Sequence, residues 1–133
     1  MSRSQDLLKS RPTISSALFS DSMSADERFQ NTTLRPILML QNDLLVEVFK
    51  NYIWNHKNVF STLTTKEQID YIENAIKKDT KFRNSLKGMI IGQFTLEEYT
   101  LYITNFSALN KRMMQLVKER IISNIQVFHS IFT

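Results

Sequence analysis

Apolar residues recur at helical spacing through most of this chain, and the widest stripe runs from 34 to 54. Pro36 suits the first turn of a helix here, because a proline's missing N–H is not needed in that turn. The apolar positions lie three or four residues apart, which predicts one face of an amphipathic helix. They are Ile37, Leu38, Leu44, Leu45, Val48, Phe49 and Tyr52. A stripe this broad needs other helices to cover it.

Polar residues divide the rest of the chain into further helices. A Ser or Thr followed three residues later by Glu is a capping-box pattern, which predicts a helix start. The pattern occurs at Ser24, Thr64 and Thr95, while Asp79 and Ser107 are further candidate N-caps. The predicted helices cover about 25–32, 64–78, 80–91, 96–105 and 108–131, and the first can continue into the helix at Pro36 as one kinked helix.

Each predicted helix has a candidate inner face. These faces consist of Ile69, Ile72 and Ile76; Phe82, Leu86, Met89 and Ile90; Tyr99, Tyr102 or Ile103, and Phe106; and Met114, Val117, Ile121, Ile125, Phe128 and Phe132. Residues 55–63 read as a loop that folds Val59, Phe60 and Leu63 back onto the core. The fold class predicted is all-α, a single-domain bundle of about five helices, two long and three short.

Residues 1–23 carry Ser, Thr and Asp with few apolar side chains, too few to hold a fold alone. We predict a flexible N-terminal arm over 1–23 and a helical domain over 24–133. The alternative is that Ile14, Leu18 and Phe19 form a short turn that docks on the core or on a partner.

Composition narrows the class of protein. The chain has 133 residues, which fits one domain. It has only two Gly and two Pro, whereas strand-rich folds use these residues in many turns. It lacks cysteine, which excludes disulfides and thiolate metal sites and fits a reducing compartment. No secretory signal and no apolar run long enough for a membrane span is visible, so we predict a soluble, cytoplasmic protein without a membrane partner.

Candidate catalytic chemistry is sparse. His56 and His129 are the two imidazoles, and neither stands at a metal-ligand spacing with Asp or Glu. Glu97 and Glu98 fall in the first turn of a helix, where acids are favoured by the helix dipole. No nucleophile-elbow, phosphate-loop or dinucleotide motif occurs. We therefore predict no catalytic, cofactor or metal residues; an enzyme would need a pocket that joins residues 41–43 to His56.

Gly88 and Gly92 stand four residues apart, the spacing at which helix backbones can approach closely. We predict close packing at Gly88 and a helix C-cap at Gly92.

Two groups of basic residues indicate a possible nucleic-acid-binding function. Net charge is +4, and the cations cluster along the third and last helices. The candidate RNA- or ribosome-binding residues are Lys77, Lys78, Lys81, Arg83, Lys87, Lys111, Arg112 and Lys118.

The end of the last helix, 121–132, is apolar around more of its circumference than packing on one side requires. Once its inner stripe is assigned, Ile122, Val127 and Ile131 are left over. Exposed apolar surface commonly marks an interface, so these three residues are a candidate homodimer or partner contact. The main functional prediction is a non-enzymatic helical interaction module that acts through a protein partner or self-association, and RNA or ribosome binding is the alternative.

The segments RFQNTTLRPILMLQNDLL, KDTKFRNSLKGMIIGQFTLEEY and LNKRMMQLVKERI resemble a small family of uncharacterised bacterial proteins of about this length, some of which carry an automatic glyoxalase label. The resemblance covers roughly 29–128 and implies no established activity or catalytic residue. Glyoxalases resemble paired βαβββ modules with His and Glu metal ligands, and this sequence has neither the strand pattern nor the ligand set.

Overall fold

The computed structural model describes residues 2–15 and 19–132, with side chains described as far as Phe128. The described part of the chain is all-helical and contains no strand, which confirms the predicted fold class. The helices are α1 (Arg3–Ser10), α2 (Ala25–Phe29), α3 (Arg35–Leu40), α4 (Asn42–Asn55), α5 (Thr65–Lys78), α6 (Thr80–Ile91), α7 (Leu96–Thr104), α8 (Phe106–Ser123) and α9 (Ile125–Phe132). A π-helical segment, Gln30–Leu34, joins α2 to α3, and a 3₁₀ turn, Phe60–Thr62, precedes α5.

The predicted count of about five helices is wrong because both long helices are interrupted and α1 was not foreseen. Gln41 breaks the first between α3 and α4, where its side-chain amide donates to the Met89 carbonyl at 3.0 Å. Asn124 breaks the last between α8 and α9, where its amide donates to the Arg120 carbonyl at 2.7 Å and to the Asn42 side-chain oxygen at 3.0 Å. At Asn124 the side-chain bond to the Arg120 carbonyl competes with the helical pattern. At Gln41 the side chain instead bonds to another helix, while its own N–H still donates to the Ile37 carbonyl.

The helix starts predicted at Ser24, Thr64, Asp79 and Thr95 are confirmed by their caps. The predicted N-cap at Ser107 is wrong, because α8 begins at Phe106 without a side-chain cap bond. Thr64 and Thr95 form reciprocal capping boxes with Glu67 and Glu98, and the Asp79 carboxylate accepts from the Phe82 N–H at 3.1 Å. Because a cap uses groups within one turn of the chain, the sequence alone locates it.

The core surrounds the first stripe. Phe49 is fully buried and its ring contacts rings from four other parts of the chain, with centroids between 5.1 and 6.3 Å apart, as well as the ring of its α4 neighbour Tyr52. The other four rings belong to Phe60, Tyr71, Phe82 and Phe128. The predicted return of Phe60 to the core is confirmed, but the same prediction is wrong for Val59, which is 40 % exposed. Leu44 of the predicted stripe is half exposed as well.

The N-terminal segment contains α1, which is capped by Ser2 and Gln5. Two arginines hydrogen-bond this segment to the region between α6 and α7. Arg3 donates to the Gly92 and Phe94 carbonyls at 2.9 and 2.7 Å. Arg11 donates to the Gln93 carbonyl and to the Glu98 carboxylate. Leu18, part of the predicted docking turn, lies outside the described residues, and mobility of the arm stays a prediction.

Close packing at Gly88 is a wrong prediction. A Cβ placed on Gly88 would have no heavy atom of another part of the chain within 4 Å, and the residue is exposed on α6. At Gly92, the C-cap, a Cβ would stand only 2.9 Å from the Gly88 carbonyl oxygen, so the crowding is at the second glycine.

Gly88→Ala should therefore stabilise the protein by about 0.5–1 kcal/mol, because alanine costs less backbone entropy in an exposed helix interior. Urea denaturation followed by circular dichroism measures the change. Gly92→Ala is the matched control, and it should give no such gain. A lower denaturation midpoint for Gly88→Ala would contradict the open environment.

Candidate functional site

Helix α7 turns a carboxylate toward the core and apolar side chains toward solvent, the reverse of a typical amphipathic helix. This helix buries Glu98 and Tyr102, while its other aliphatic and aromatic residues are exposed to solvent. Leu96 is 70 % exposed, Tyr99 47 %, Ile103 51 % and Phe106, the first residue of α8, 57 %. Leu96, Tyr99 and Ile103, spaced at three- and four-residue steps within one helix, form a stripe that we call the α7 face. Phe106 follows the helix break at Asn105 and is exposed beyond the end of this stripe. The prediction that Tyr99 and Phe106 pack inward is wrong, whereas Tyr102, which was predicted as the alternative to Ile103, is buried.

The polar side of α7 is fixed by Glu98. The Arg11 guanidinium pairs with its carboxylate through two bonds of 2.7 Å, the Thr33 hydroxyl donates to it at 2.8 Å, and the Thr95 N–H completes the capping box at 2.8 Å. The Arg11 and Glu98 side chains are only 5 % and 11 % exposed. A buried charge that is paired and hydrogen-bonded in this way holds the helix in one orientation.

The charge state of Glu98 follows from these partners. Burial by itself raises the pKa of the carboxyl group, but the bonds from Arg11, from the Thr95 N–H and from the Thr33 hydroxyl outweigh it and leave the pKa below its ordinary value. Glu98 is therefore anionic at neutral pH and serves as an anchor. It does not have the raised pKa of a general acid.

An apolar pocket of about 350 Å³ opens beside α7 and next to Leu101, which is 60 % exposed. Phe29 and Leu109 line its wall, and Thr33 of the π-helical segment and Glu98 lie at its polar side. We call it the Leu101 pocket. Together with the α7 face it leaves apolar surface on more than one side of a single short helix.

A second, more open cleft of about 650 Å³ lies where α4 ends and α5 meets α6. We call it the His56 cleft; its lining residues are Tyr52, His56, Tyr71, Asn74, Ala75, Lys78, Asp79, Thr80 and Lys81. His56 occupies the C-cap of α4, and its Nδ1 lies 2.8 Å from the Tyr52 carbonyl oxygen.

Asp79 contacts two other residues of the His56 cleft, Tyr52 and His56. Its carboxylate accepts from the Phe82 N–H and, at 3.1 Å, from the Tyr52 hydroxyl, and it lies 3.9 Å from His56 Nε2. These bonds, above all that from the Phe82 N–H, lower the pKa of Asp79. Burial and the Asp79 carboxylate raise the pKa of Tyr52 to about 12, so the phenol stays protonated and donates to Asp79. The trio has no group activated as a nucleophile.

The structure distributes the predicted basic residues over separate surfaces. Lys78 and Lys81 line the His56 cleft, whereas Lys111 and Arg112 line a different cleft beside Gln30. Arg83 donates to the Lys77 carbonyl at the end of α5, and Arg112 donates to the Gln30 side chain at 3.1 Å. Lys87 and Lys118 are half-buried and line neither cleft.

The residues of the interface predicted near the end of the chain differ in how exposed they are. Ile122 is partly buried and packs against the core, Val127 is 39 % exposed, and the side chain of Ile131 lies outside the described residues. The largest exposed aliphatic side chains lie on α7 instead. Sequence periodicity could have flagged α7, which is apolar on several sides, but it could not say which side would be buried.

The pocket required for the enzyme hypothesis does not form. Residues 41–43 lie at the start of α4 and His56 at its end, about 20 Å apart along the helix axis at 1.5 Å per residue. Among the described residues no three His, Cys, Asp or Glu side chains are grouped to hold a metal ion. Nor does any helix in the described ranges combine the length and apolar character needed to cross a membrane.

Comparison with protein-family models, curated proteins and solved structures finds no match to this chain. The described residues form an all-α domain with an exposed apolar helix face and a cleft lined by aromatic and basic residues. The resemblance to the bacterial family stays a prediction.

Proposed function

We propose that this protein is a non-enzymatic helical interaction module that self-associates through the α7 face. One observation carries the proposal: α7 buries a carboxylate and exposes Leu96, Tyr99 and Ile103. Single exposed apolar residues are common on soluble proteins, but a contiguous stripe of them typically marks a contact surface.

A second copy of this chain is the partner that the charges favour. The protein carries a net charge of +4, yet residues 93–110 contain two acids, one of them the buried Glu98, and no Lys or Arg. Helix α7 itself contributes no cation when two copies meet across their α7 faces, and each copy covers the other's apolar side chains.

Analytical ultracentrifugation of the full-length protein over a concentration series tests self-association. We expect a dimer that the double variant Leu96→Lys and Ile103→Lys converts to a folded monomer, because each copy would then place two cations in the contact. The matched control is Leu44→Lys with Trp54→Lys, which makes the same change at two exposed positions of α4 and should leave the dimer intact.

A wild-type protein that stays monomeric at hundreds of micromolar would overturn the proposal. A dimer that both double variants disrupt equally would overturn the assignment to α7. Circular dichroism on each variant establishes that a monomer is folded.

A further inference from the structure

The His56 cleft, which shares no residue with the α7 face, ends in an open aromatic stack. The His56 and Tyr52 rings lie nearly parallel with centroids 3.9 Å apart, and the Phe82 ring lies 4.0 Å beyond Tyr52. Tyr52 covers one face of His56, while the His56 side chain remains 49 % exposed. The stack therefore stops at a ring whose outer face is accessible to another planar group.

Positive charge borders the stack. Lys78, the last residue of α5, and Lys81, in the first turn of α6, both line the cleft and are exposed. The one acid in the lining, Asp79, already accepts from the Phe82 N–H and the Tyr52 hydroxyl. Hydrogen-bonding positions of the acid are thus used within the protein, and two lysines against one carboxylate leave the lining with an excess of positive charge.

Neutral polar groups also line the cleft. The Asn74 amide and the Thr80 hydroxyl belong to the lining, and both can hydrogen-bond to the edge of a heterocycle or to a ribose. A ligand that matches the cleft combines a flat ring, hydrogen-bonding edges and a negative charge. Among biological molecules a nucleoside phosphate has all three.

We propose that the His56 cleft binds a nucleoside phosphate, free or within single-stranded RNA, with the base stacked on His56 and the phosphate held by Lys78 and Lys81. Base stacking on aromatic side chains is tolerant of sequence, and lysine binds phosphate as a point charge. The cleft therefore selects the class of ligand more strongly than the identity of the base.

Isothermal titration calorimetry of the full-length protein at low salt tests this site with AMP, adenosine, inorganic phosphate and hexa-adenylate. AMP should bind at least about tenfold more tightly than adenosine or phosphate, since it uses both halves of the cleft. Lys78→Ala with Lys81→Ala should weaken AMP binding about tenfold or more. His56→Ala should weaken it about five- to a hundredfold, and His56→Phe, which keeps a stacking ring, should restore it.

The matched control is Lys111→Ala with Lys118→Ala, which removes the same charge from α8 and should change AMP affinity by less than about twofold. If AMP and hexa-adenylate bind equally well, the cleft accepts the free nucleotide. If hexa-adenylate binds more tightly, with an affinity that falls steeply with salt, single-stranded RNA supplies the ligand.

Three results would overturn the proposal. One is no heat of binding for AMP and hexa-adenylate alike. Another is an equal loss in the α8 control variant. The third is full AMP affinity in His56→Ala, because charge attraction alone would then explain the binding.

Discussion

Arg11→Met should lower the free energy of unfolding by about 3–5 kcal/mol, although Arg11 lies in a segment that the sequence predicts to be a mobile arm. Removing the guanidinium leaves the Glu98 carboxylate buried, with the Thr33 hydroxyl and backbone of its own turn as its remaining partners. A buried charge without a countercharge is among the most costly single defects in a fold. Urea denaturation at pH 7, followed by circular dichroism, measures the loss.

Two comparisons isolate the buried pair. Arg28→Met removes an exposed arginine whose bond to the Ser20 carbonyl is 3.4 Å long, and it should change stability by no more than about 0.5 kcal/mol. Arg11→Met combined with Glu98→Gln should recover part of the loss, because no charge is then left buried. Equal small effects for Arg11 and Arg28 would show that the N-terminal segment is not bound to the domain.

Phe49→Ala should destabilise the protein by a similar amount, about 3–5 kcal/mol. The Phe49 ring is fully buried and contacts aromatic rings from the 3₁₀ turn, α5, α6 and α9, so its loss leaves a cavity where several elements meet. Rings packed around the cavity on several sides cannot easily move to fill it. Thermal and urea denaturation both measure the change.

Phe49→Leu is the control, because leucine keeps much of the volume and should cost clearly less than alanine. If the two substitutions cost the same, the surrounding elements collapse freely onto the site. The central position of Phe49 would then be contradicted.

The features that the sequence predicted are those encoded within one turn of helix. Thr64, Asp79 and Thr95 accept hydrogen bonds from N–H groups three residues away, so the pattern predicts each helix start without knowledge of the fold. The first helix was also found because Pro36 and a broad stripe coincide. Its break at Gln41 was missed, since the amide that bonds there reaches Met89, 48 residues away.

The features that the sequence missed depend on distant partners. Glu98 was correctly predicted to act in a cap, but its burial depends on Arg11 and Thr33, and neither is linked to it by any local spacing. For the same reason α7 was predicted with its apolar residues inward: hydrophobic periodicity assumes that the acid faces water. The His56 cleft combines residues from α4, α5 and α6 that only the packed bundle brings together.

The bond between Arg11 and Glu98 also orders the events of folding. It closes a loop across 87 positions of sequence, while the helix caps close over three. Chain entropy opposes long-range closure before the intervening helices have packed, so local structure forms first. The segment that carries Arg11 is therefore expected to join the domain last, once α7 has packed with its carboxylate. Until then the apolar residues of α7 have no fixed orientation, and this pairing determines which of them remain at the surface.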